Sequence, residues 1–478
     1  MIADFLVSLE GFIWSIPFIA FVIICGIYFT VRTKFFTVVH FGHIMKHTFM
    51  AMVSPEAKEK KKGGISPFEA ACIAIGGCVG AGNLGGVATS ITVGGPGAVF
   101  WLWLWAFLGM MVKCVEVTLG CYYRNKDENG NFSGGTMYFM EKGIGIEKGM
   151  KGGFVLAMVF ALGFLFQFLQ GSQAYTISEV MKESFGFEMI PVTIVYVIIS
   201  MYIIWKGLPG IAKFATRCVP FMCVAFVLGG IGLIIANISV VPSMFVTIFH
   251  DAFTGTAAVG GFAGATVSTV ISSGLSRSIN SNEAGQGSSP LVHGSANTIH
   301  PVRQGLWGAF EVFIDTIIVC SVTALSILCT GVWDSGIPGA ALTIAAYDTL
   351  YGTAGKIFIG IMTILFGLTT TAGWFAYYAQ VIKYIFKKNL KLANTLVNCF
   401  KVVFPMMNII VVGYIVISGN DAKLFWTIVS IVLALPVFTN LIGLIILRKK
   451  FMELFNDYKA RYMGIGEVKE NFKIFYED

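Results

Sequence analysis

The sequence predicts an all-α integral membrane protein. It is read as eleven transmembrane helices: two five-helix halves inserted in opposite senses, with one extra helix at the N-terminus. Three observations predict this. There is too little charge for a water-facing surface, the basic residues are distributed one-sidedly, and two apolar spans are interrupted at corresponding places.

Of 478 residues, 56% are hydrophobic and 12% charged, and the mean hydropathy is +0.77. A soluble protein carries about 25% charged residues, so a soluble enzyme of several domains is excluded. Phe (42) and Gly (55) outnumber Pro (13), which suits packed membrane helices where small residues let backbones approach. The ten Cys fall mostly in apolar spans, as Cys25, Cys78, Cys218 and Cys320 do, with no CxxC pair. That predicts reduced, packed thiols and neither a disulfide framework nor a zinc site.

Apolar runs place the spans near residues 12–31, 66–93, 96–123, 153–180, 188–205, 217–237, 259–289, 302–332, 355–382, 394–418 and 422–447. The first run lacks a basic n-region and an obvious small-residue cleavage site, so it reads as a retained helix and not a signal peptide. If the segment after it is cytoplasmic, the outward loops hold only Lys182, Lys356 and Lys423, while Lys113 and Lys401 fall within spans. Nearly all of the 33 Lys and Arg then lie inside, as the positive-inside rule requires. The expected location is the plasma membrane, with the N-terminus outside and the C-terminus cytoplasmic. The net charge of +7 is thus a topology signal, and no nucleic-acid partner is expected.

The chain divides accordingly. Residues 1–64 hold the peripheral helix, an interfacial segment and a basic loop; 65–237 and 238–447 are the two halves; 448–478 is a cytoplasmic tail. Residues 34–53 interleave Phe35, Phe36, Phe41, Met45, Phe49 and Met50 with Lys34, Lys46, His40, His43 and His47, the pattern of an amphipathic helix lying in the interface. The three imidazoles share a face. With no carboxylate or Cys beside them, interfacial packing is a better reading than a metal site. Glu59-Lys60-Lys61-Lys62 follows as a loop facing anionic lipid.

The second span carries six glycines between Ile75 and Gly86. Each Gly costs roughly 1 kcal/mol against Ala in a helix interior, so an unbroken helix is disfavoured. The seventh span is polar from Ser272 to Gly285. Non-helical backbone survives at membrane depth only where it lines a cavity or is buried in protein. Two interrupted spans, five apart, make the inverted-repeat plan of secondary transporters.

An unwound turn exposes N–H groups that suit a carboxylate and C=O groups that suit a small hard cation. In the second span the candidates are the amides of Ala81, Gly82 and Asn83 and the carbonyls of Gly76 and Val79. Gly80 and Gly82 let a ligand approach the backbone. Thr369, Thr370 and Thr371 of the ninth span offer hydroxyls to complete an oxygen cage for Na⁺. Adjacent Thr in a membrane helix more often bond back to the preceding turn, and that reading stands beside the first. Gln167, Gln170 and Gln173 recur every three residues on the fourth span, a polar face expected to line a cavity.

Val79-Gly80-Ala81-Gly82-Asn83, Gly94-Gly95-Pro96-Gly97-Ala98 and Ser281-Asn282-Glu283-Ala284-Gly285-Gln286-Gly287-Ser288 resemble the signatures of the alanine or glycine:cation symporter family. Lys113-Cys114-Val115-Glu116, and Phe313-Ile314-Asp315-Thr316 with Val319-Cys320, match it too, so the resemblance spans nearly the whole chain. It implies a leucine-transporter-type fold and Na⁺-coupled symport of small neutral amino acids, alanine and glycine, with no organic cofactor. By position it also implies a substrate site of Gly80, Ala81, Gly82, Asn83, Gln173, Ser273, Gly274, Thr370 and Trp374. The implied Na⁺ site is made of Gly76, Val79, Thr370 and Thr371. Three positions depart from the family pattern. Ser273 stands where a Trp is common, Ser276 replaces a Lys before Arg277, and Tyr175 replaces an Asn two residues after Gln173. Loss of the Trp implies a roomier pocket.

Lys113 with Glu116, and Glu311 with Asp315, share helix faces. Structural pairing and gating near the cytoplasmic half is favoured over ligand contact, with Glu283 and Arg277 read as part of the inner gate. Two alternatives to Na⁺ symport remain. Proton-coupled transport or exchange on the same fold needs a titratable group beside the ligand, and the second-span break offers none. An ion channel, less favoured, would use the same glycines as pore lining. An enzyme is not expected, since no nucleophile–base set or metal-ligand cluster has usable spacing.

Overall fold

The computed structural model describes residues 2–53, 64–126, 130–170, 172–337, 339–418 and 423–477; the basic run at 59–62 lies outside them. Helices α1 (Ile2–Ile13) and α2 (Ile16–Arg32) open the chain, and Pro17 in the first turn of α2 suits a helix restart. Lys34 and Phe35 then adopt left-handed backbone (φ 57° and 54°), and the Phe35 N–H closes the turn on the Thr30 carbonyl at 2.8 Å. That turn divides the interfacial segment. In place of one helix over 34–53 stand α3 (Phe36–Val39), α4 (Phe41–His47) and a 3₁₀ turn at Met50–Val53.

Helix α5 (Pro67–Cys78) starts sharply, because Ser66 and Glu69 form a reciprocal capping box and Pro67 follows the cap. It stops at Val79, whose backbone is extended. The chain resumes as a π-helical turn, Gly82–Gly86, and α6 (Val87–Gly94), bent by 47° from α5. Then come α7 (Ala98–Tyr122), a two-stranded hairpin of β1 (Asn125–Lys126) and β2 (Phe132–Ser133), and a π-helix at Phe139–Glu147. Helices α8 (Gly152–Phe166) and α9 (Ser172–Phe185) are joined through a 3₁₀ turn at Gln167–Gln170, before α10 (Met189–Trp205) and α11 (Gly207–Ala236).

The amphipathic α12 (Val241–Thr254) leads into α13 (Val267–Asn282) and the short α14 (Pro290–His293). Next, α15 (Pro301–Val312) continues through a π-helix at Phe313–Cys320 into α16 (Ser321–Cys329). Helices α17 (Gly339–Tyr351), α18 (Thr353–Ile385), α19 (Leu390–Ser418), α20 (Lys423–Ile446) and α21 (Arg448–Met463) complete the chain.

Among the described residues, seven helical runs are long and apolar enough to cross a bilayer, and α5 with α6 makes an eighth if that bent pair is one span. Ile194, Val195 and Ile198 on α10, and Phe221, Val224 and Leu228 on α11, are large and exposed, as lipid-facing residues are. This is a multi-pass membrane protein. Its buried centre runs through α5, α7, α15 and α18.

The polar stretch of the seventh span is helical, contrary to expectation. Ser272, Ser273 and Ser276 return their hydroxyls to carbonyls three residues back, and Ser278 donates to Leu102 of α7 at 2.9 Å. The hydroxyls are thus satisfied without unwinding. The interruption comes later, over 283–289, where Glu283, Gly285 and Gly287 take positive φ (56°, 90° and 77°).

The C-terminal region folds back on the bundle. On α21, Phe455 meets Phe36 (ring centroids 4.8 Å apart) and the Tyr458 hydroxyl lies 3.0 Å from His43 Nε2. Beyond it, the Tyr476 N–H donates to the Tyr122 carbonyl at 3.0 Å and Glu477 pairs with Lys142 at 3.0 Å. The Arg124 guanidinium stacks on the rings of Phe132 and Phe475.

Candidate functional site

A cavity of about 440 Å³ lies between the two interruptions, within the usual range for small-molecule sites. Gly77, Gly80 and Gly82 of the first break line it, with Gln173, Tyr175 and Glu179 of α9, Arg277, Asn280 and Ser281 of α13, and Thr370, Thr371, Trp374 and Tyr378 of α18. Gln167 and Glu283 line it too, so two of the three expected glutamines reach the wall; the Gln170 side chain lies outside what is described.

The glycines of the first break do two different jobs. A Cβ at Gly76 would stand 3.0 Å from Val219 Cγ2, one at Gly77 2.7 Å from the Tyr377 hydroxyl, and one at Gly80 2.5 Å from Thr370 Oγ1. These three let α5 press against its neighbours. Gly82 is different: a Cβ there meets nothing within 4 Å, and the residue is exposed at the start of the π-helical turn. The first N–H groups of a helix have no intrahelical partner, which makes Gly82 the backbone site that faces the cavity.

The other predicted amides are engaged within the protein. Ala81 N–H donates to Gln173 Oε1 at 3.0 Å, and Asn83 N–H donates to the Gly80 carbonyl at 3.0 Å. The Asn83 side chain is buried, accepting from Gly80 N–H (2.8 Å) and donating to Asp315 Oδ1 (2.6 Å). Asn83 therefore staples the turn from behind, and Gln173 caps it from the cavity side. Ser273 and Gly274 stand apart from this turn. Neither is among the residues lining the cavity; because α13 stays helical, Ser273 packs against Gly94 at the end of α6 and Gly274 against Ala98 at the start of α7. The wall from α13 is made instead by residues one to two turns later.

The oxygen cage assembles in large part. Thr370 Oγ1 donates to the carbonyls of Gly76 (3.0 Å) and Val79 (3.4 Å), so three oxygens from two helices converge at the end of α5. Rotation of the Thr370 proton would turn its lone pairs toward a cation, and a hard monovalent cation takes such oxygens. Thr371 is one position on, its hydroxyl 2.6 Å from that of Tyr196. Only Thr369 bonds back to its own helix, at Leu365 and Phe366. Trp374 donates to the Gly77 carbonyl at 3.3 Å, and its ring stacks on Phe164, closing one end of the cavity. Tyr175, the departure from the family pattern, places its ring on the wall and donates to Glu179 at 3.1 Å.

The ionisable residues do not pair as their helix faces suggested. Lys113 Nζ donates to the Asn282 carbonyl at 2.9 Å and lies 4.0 Å from Glu311, which also meets His293 and accepts from Ser289. Glu283 accepts from Ser288, and it lines the cavity together with Arg277, nearly two turns earlier. Asp315 belongs to the first break. It accepts from Asn83, from Ser281 at 2.8 Å and from Thr316 at 2.7 Å. Its hydrogen bonds go to these groups and not to Glu311, which is held by His293 and Ser289. So a titratable group does stand against that break, through Asn83, although the local sequence has none.

The chain matches the sodium:alanine symporter family over residues 1–471. It is 32% identical over 449 residues to the sodium/alanine symporter AgcS of Methanococcus maripaludis, covering 92% of this chain and 93% of that protein. To the probable sodium/glutamine symporter GlnT of Bacillus subtilis it is 33% identical over 467 residues, covering 98% and 91%. Its fold is similar to that of a Na⁺-coupled sialic acid symporter in a substrate-bound, outward-open state. That likeness has a TM-score of 0.55 at 11% identity, over 95% of this chain and 92% of that one, and it is one of fold alone.

Proposed function

The chain belongs to the sodium:alanine symporter family, and we propose that it carries small neutral amino acids, alanine and glycine, into the cell by symport with Na⁺. In this reading eleven helices cross the plasma membrane, with the N-terminus outside and the C-terminus in the cytoplasm. The helix preceding residue 65 is peripheral to two five-helix halves, 65–237 and 238–447. The two halves rock against each other to open the cavity to one side and then the other.

The observation that carries the reading is the meeting of the Gly76 and Val79 carbonyls with the Thr370 hydroxyl beside a cavity onto which Gly82 opens. Na⁺ takes those oxygens, with Thr371 swinging from Tyr196 to join them. The substrate carboxylate sits at Gly82, at the positive end of the π-helical half, with Gly80 and Gln173 beside it. Its side chain points toward Trp374 and Tyr175. Ala81 and Asn83 shape the turn and do not touch the ligand. One Na⁺ per neutral amino acid supplies about 3.7 kcal/mol at 100 mV with a tenfold gradient, enough for several-hundredfold accumulation.

Radiolabelled alanine uptake by reconstituted protein tests this. Uptake should collapse when Na⁺ is replaced by choline at constant pH; undiminished uptake would overturn it. Glutamine belongs among the competitors, since a relative is named for it. Proton coupling on the same fold is the second reading, favoured by Asp315 standing behind the first break on Asn83. It expects uptake that follows the pH gradient alone.

A further inference from the structure

Where α7 and α20 cross beside the second break, they bring a carboxyl group and a carboxamide together. Glu116 and Asn440 are both fully buried. Glu116 Oε1 accepts from Asn440 Nδ2 at 2.6 Å and from the Gly285 N–H at 2.7 Å. Asn440 Nδ2 also donates to the Gly285 carbonyl at 2.8 Å. The two side chains thus hold both backbone polar groups of a residue with φ +90°.

Two atoms are left over. Glu116 Oε2 and Asn440 Oδ1 are buried, and neither has a hydrogen-bond partner among the described residues. Both are acceptors while the carboxyl is ionised, so neither satisfies the other, and each buried orphan costs about 1–3 kcal/mol. Burial burdens the ionised form, and other ionisable groups crowd the site. Lys113 of the same helix, Glu283 in the break, His293 of α14, Glu311 of α15 and Asp315 beyond it are all buried. Four carboxyl groups therefore share one ammonium and one imidazole. The ammonium is directed at the Asn282 carbonyl and Glu311, and the imidazole at Glu311. Neither cation makes a direct contact with Glu116, and a buried carboxylate without an ion-pair partner in contact is costly.

We propose that Glu116 binds a proton, and that its Oε2–H donates to Asn440 Oδ1, making this carboxyl–carboxamide pair a proton site at the second break. A single proton, taken from water, satisfies both leftover atoms and reduces the anionic excess by one. Its release sets two acceptor oxygens against each other and loosens the hold on Gly285, so occupancy of the site is linked to the shape of the 283–289 segment. The inference rests on this geometry alone and stands whichever cation drives uptake.

Difference infrared spectroscopy of the purified full-length protein at neutral pH reads the proton directly. The C=O band of a protonated carboxyl group should disappear in Glu116→Gln and persist in Glu283→Gln. In Asn440→Leu, with Glu116 intact, the band should move to higher frequency as its hydrogen bond is lost. A spectrum in which Glu116→Gln removes only carboxylate bands would overturn the proposal. If Glu116→Gln fails to fold, an unmoved carboxyl band in Asn440→Leu overturns it instead.

Discussion

The two breaks differ in what surrounds their bare backbone. The first, 79–82, is a short turn stapled by neutral groups, Asn83 and Gln173, and Gly82 opens onto the cavity. The second, 283–289, is longer and is held by protein: Glu116 and Asn440 take the Gly285 backbone, Ser288 donates to Glu283, and Gln286 donates to Gln167. One break turns a backbone residue to the cavity, while the other has the backbone of Gly285 taken up by side chains. A gap in a membrane helix is thus a binding site only where the protein stops short of satisfying it.

The largest effects should separate the two breaks outright. Gly82→Val should abolish alanine binding while leaving thermal stability near that of the parent, because its side chain enters open space. Gly287→Val should instead fail at folding. Its Cβ would meet Thr136 Oγ1 at 2.7 Å and Asn440 Cγ at 2.9 Å on a backbone of φ +77°. Ligand-binding titration alongside size-exclusion profiles checks both, and retained alanine affinity in Gly82→Val would show that the carboxylate is misplaced.

Next in size, Thr370→Ala should weaken apparent Na⁺ affinity by about 1–3 kcal/mol, since it removes one cage oxygen. Thr371→Ala should have a smaller effect of the same kind, because its hydroxyl is already held by Tyr196. Na⁺-activation curves of uptake at saturating alanine give the ranking, and equal effects would place the ion elsewhere. Asp315→Asn should lower stability by about 1–3 kcal/mol, because the Ser281 and Thr316 hydroxyls lose an acceptor behind the first break. Thermal melts read it.

The smallest effect lies outside both breaks, where α21 docks. His300 is buried; its Nδ1 accepts from the Val302 N–H and its Nε2 faces Asp457 at 3.3 Å. Burial lowers its pKa from 6.5 to about 4, outweighing the pull of Asp457. The undocked imidazole therefore takes up a proton that the docked one refuses, and docking weakens as pH falls from 6.5 to 4. Above that window it is fully present. Hydrogen exchange in α21 across that range checks the direction, and His300→Gln should flatten the dependence.

Much of this was legible in the chain. The glycine run at 76–86 announced a broken helix, and the family resemblance, not any spacing, pointed to Thr370 as the residue that meets the Gly76 and Val79 carbonyls. What was not legible depends on neighbours distant in sequence. The serines of α13 looked like an unwound stretch, but hydroxyls that bond back to their own helix leave it intact, and the interruption followed the positive-φ residues instead. Asp315 read as a partner for Glu311 under α-helical spacing. It bonds instead to Asn83 and Ser281, which lie far off in sequence and which helix spacing does not announce. Lys34 and Phe35 gave no turn signal of the usual Gly or Asn kind.

The final residues carry a practical consequence. Because Tyr476 and Glu477 clip onto the end of α7 and onto Lys142, a fluorescent reporter fused directly behind them strains that clip. Trimming the chain ahead of Phe472 strips Arg124 of one of its two stacked rings. Affinity handles and expression screens therefore belong at the N-terminal end, or behind a spacer long enough to leave the clip closed.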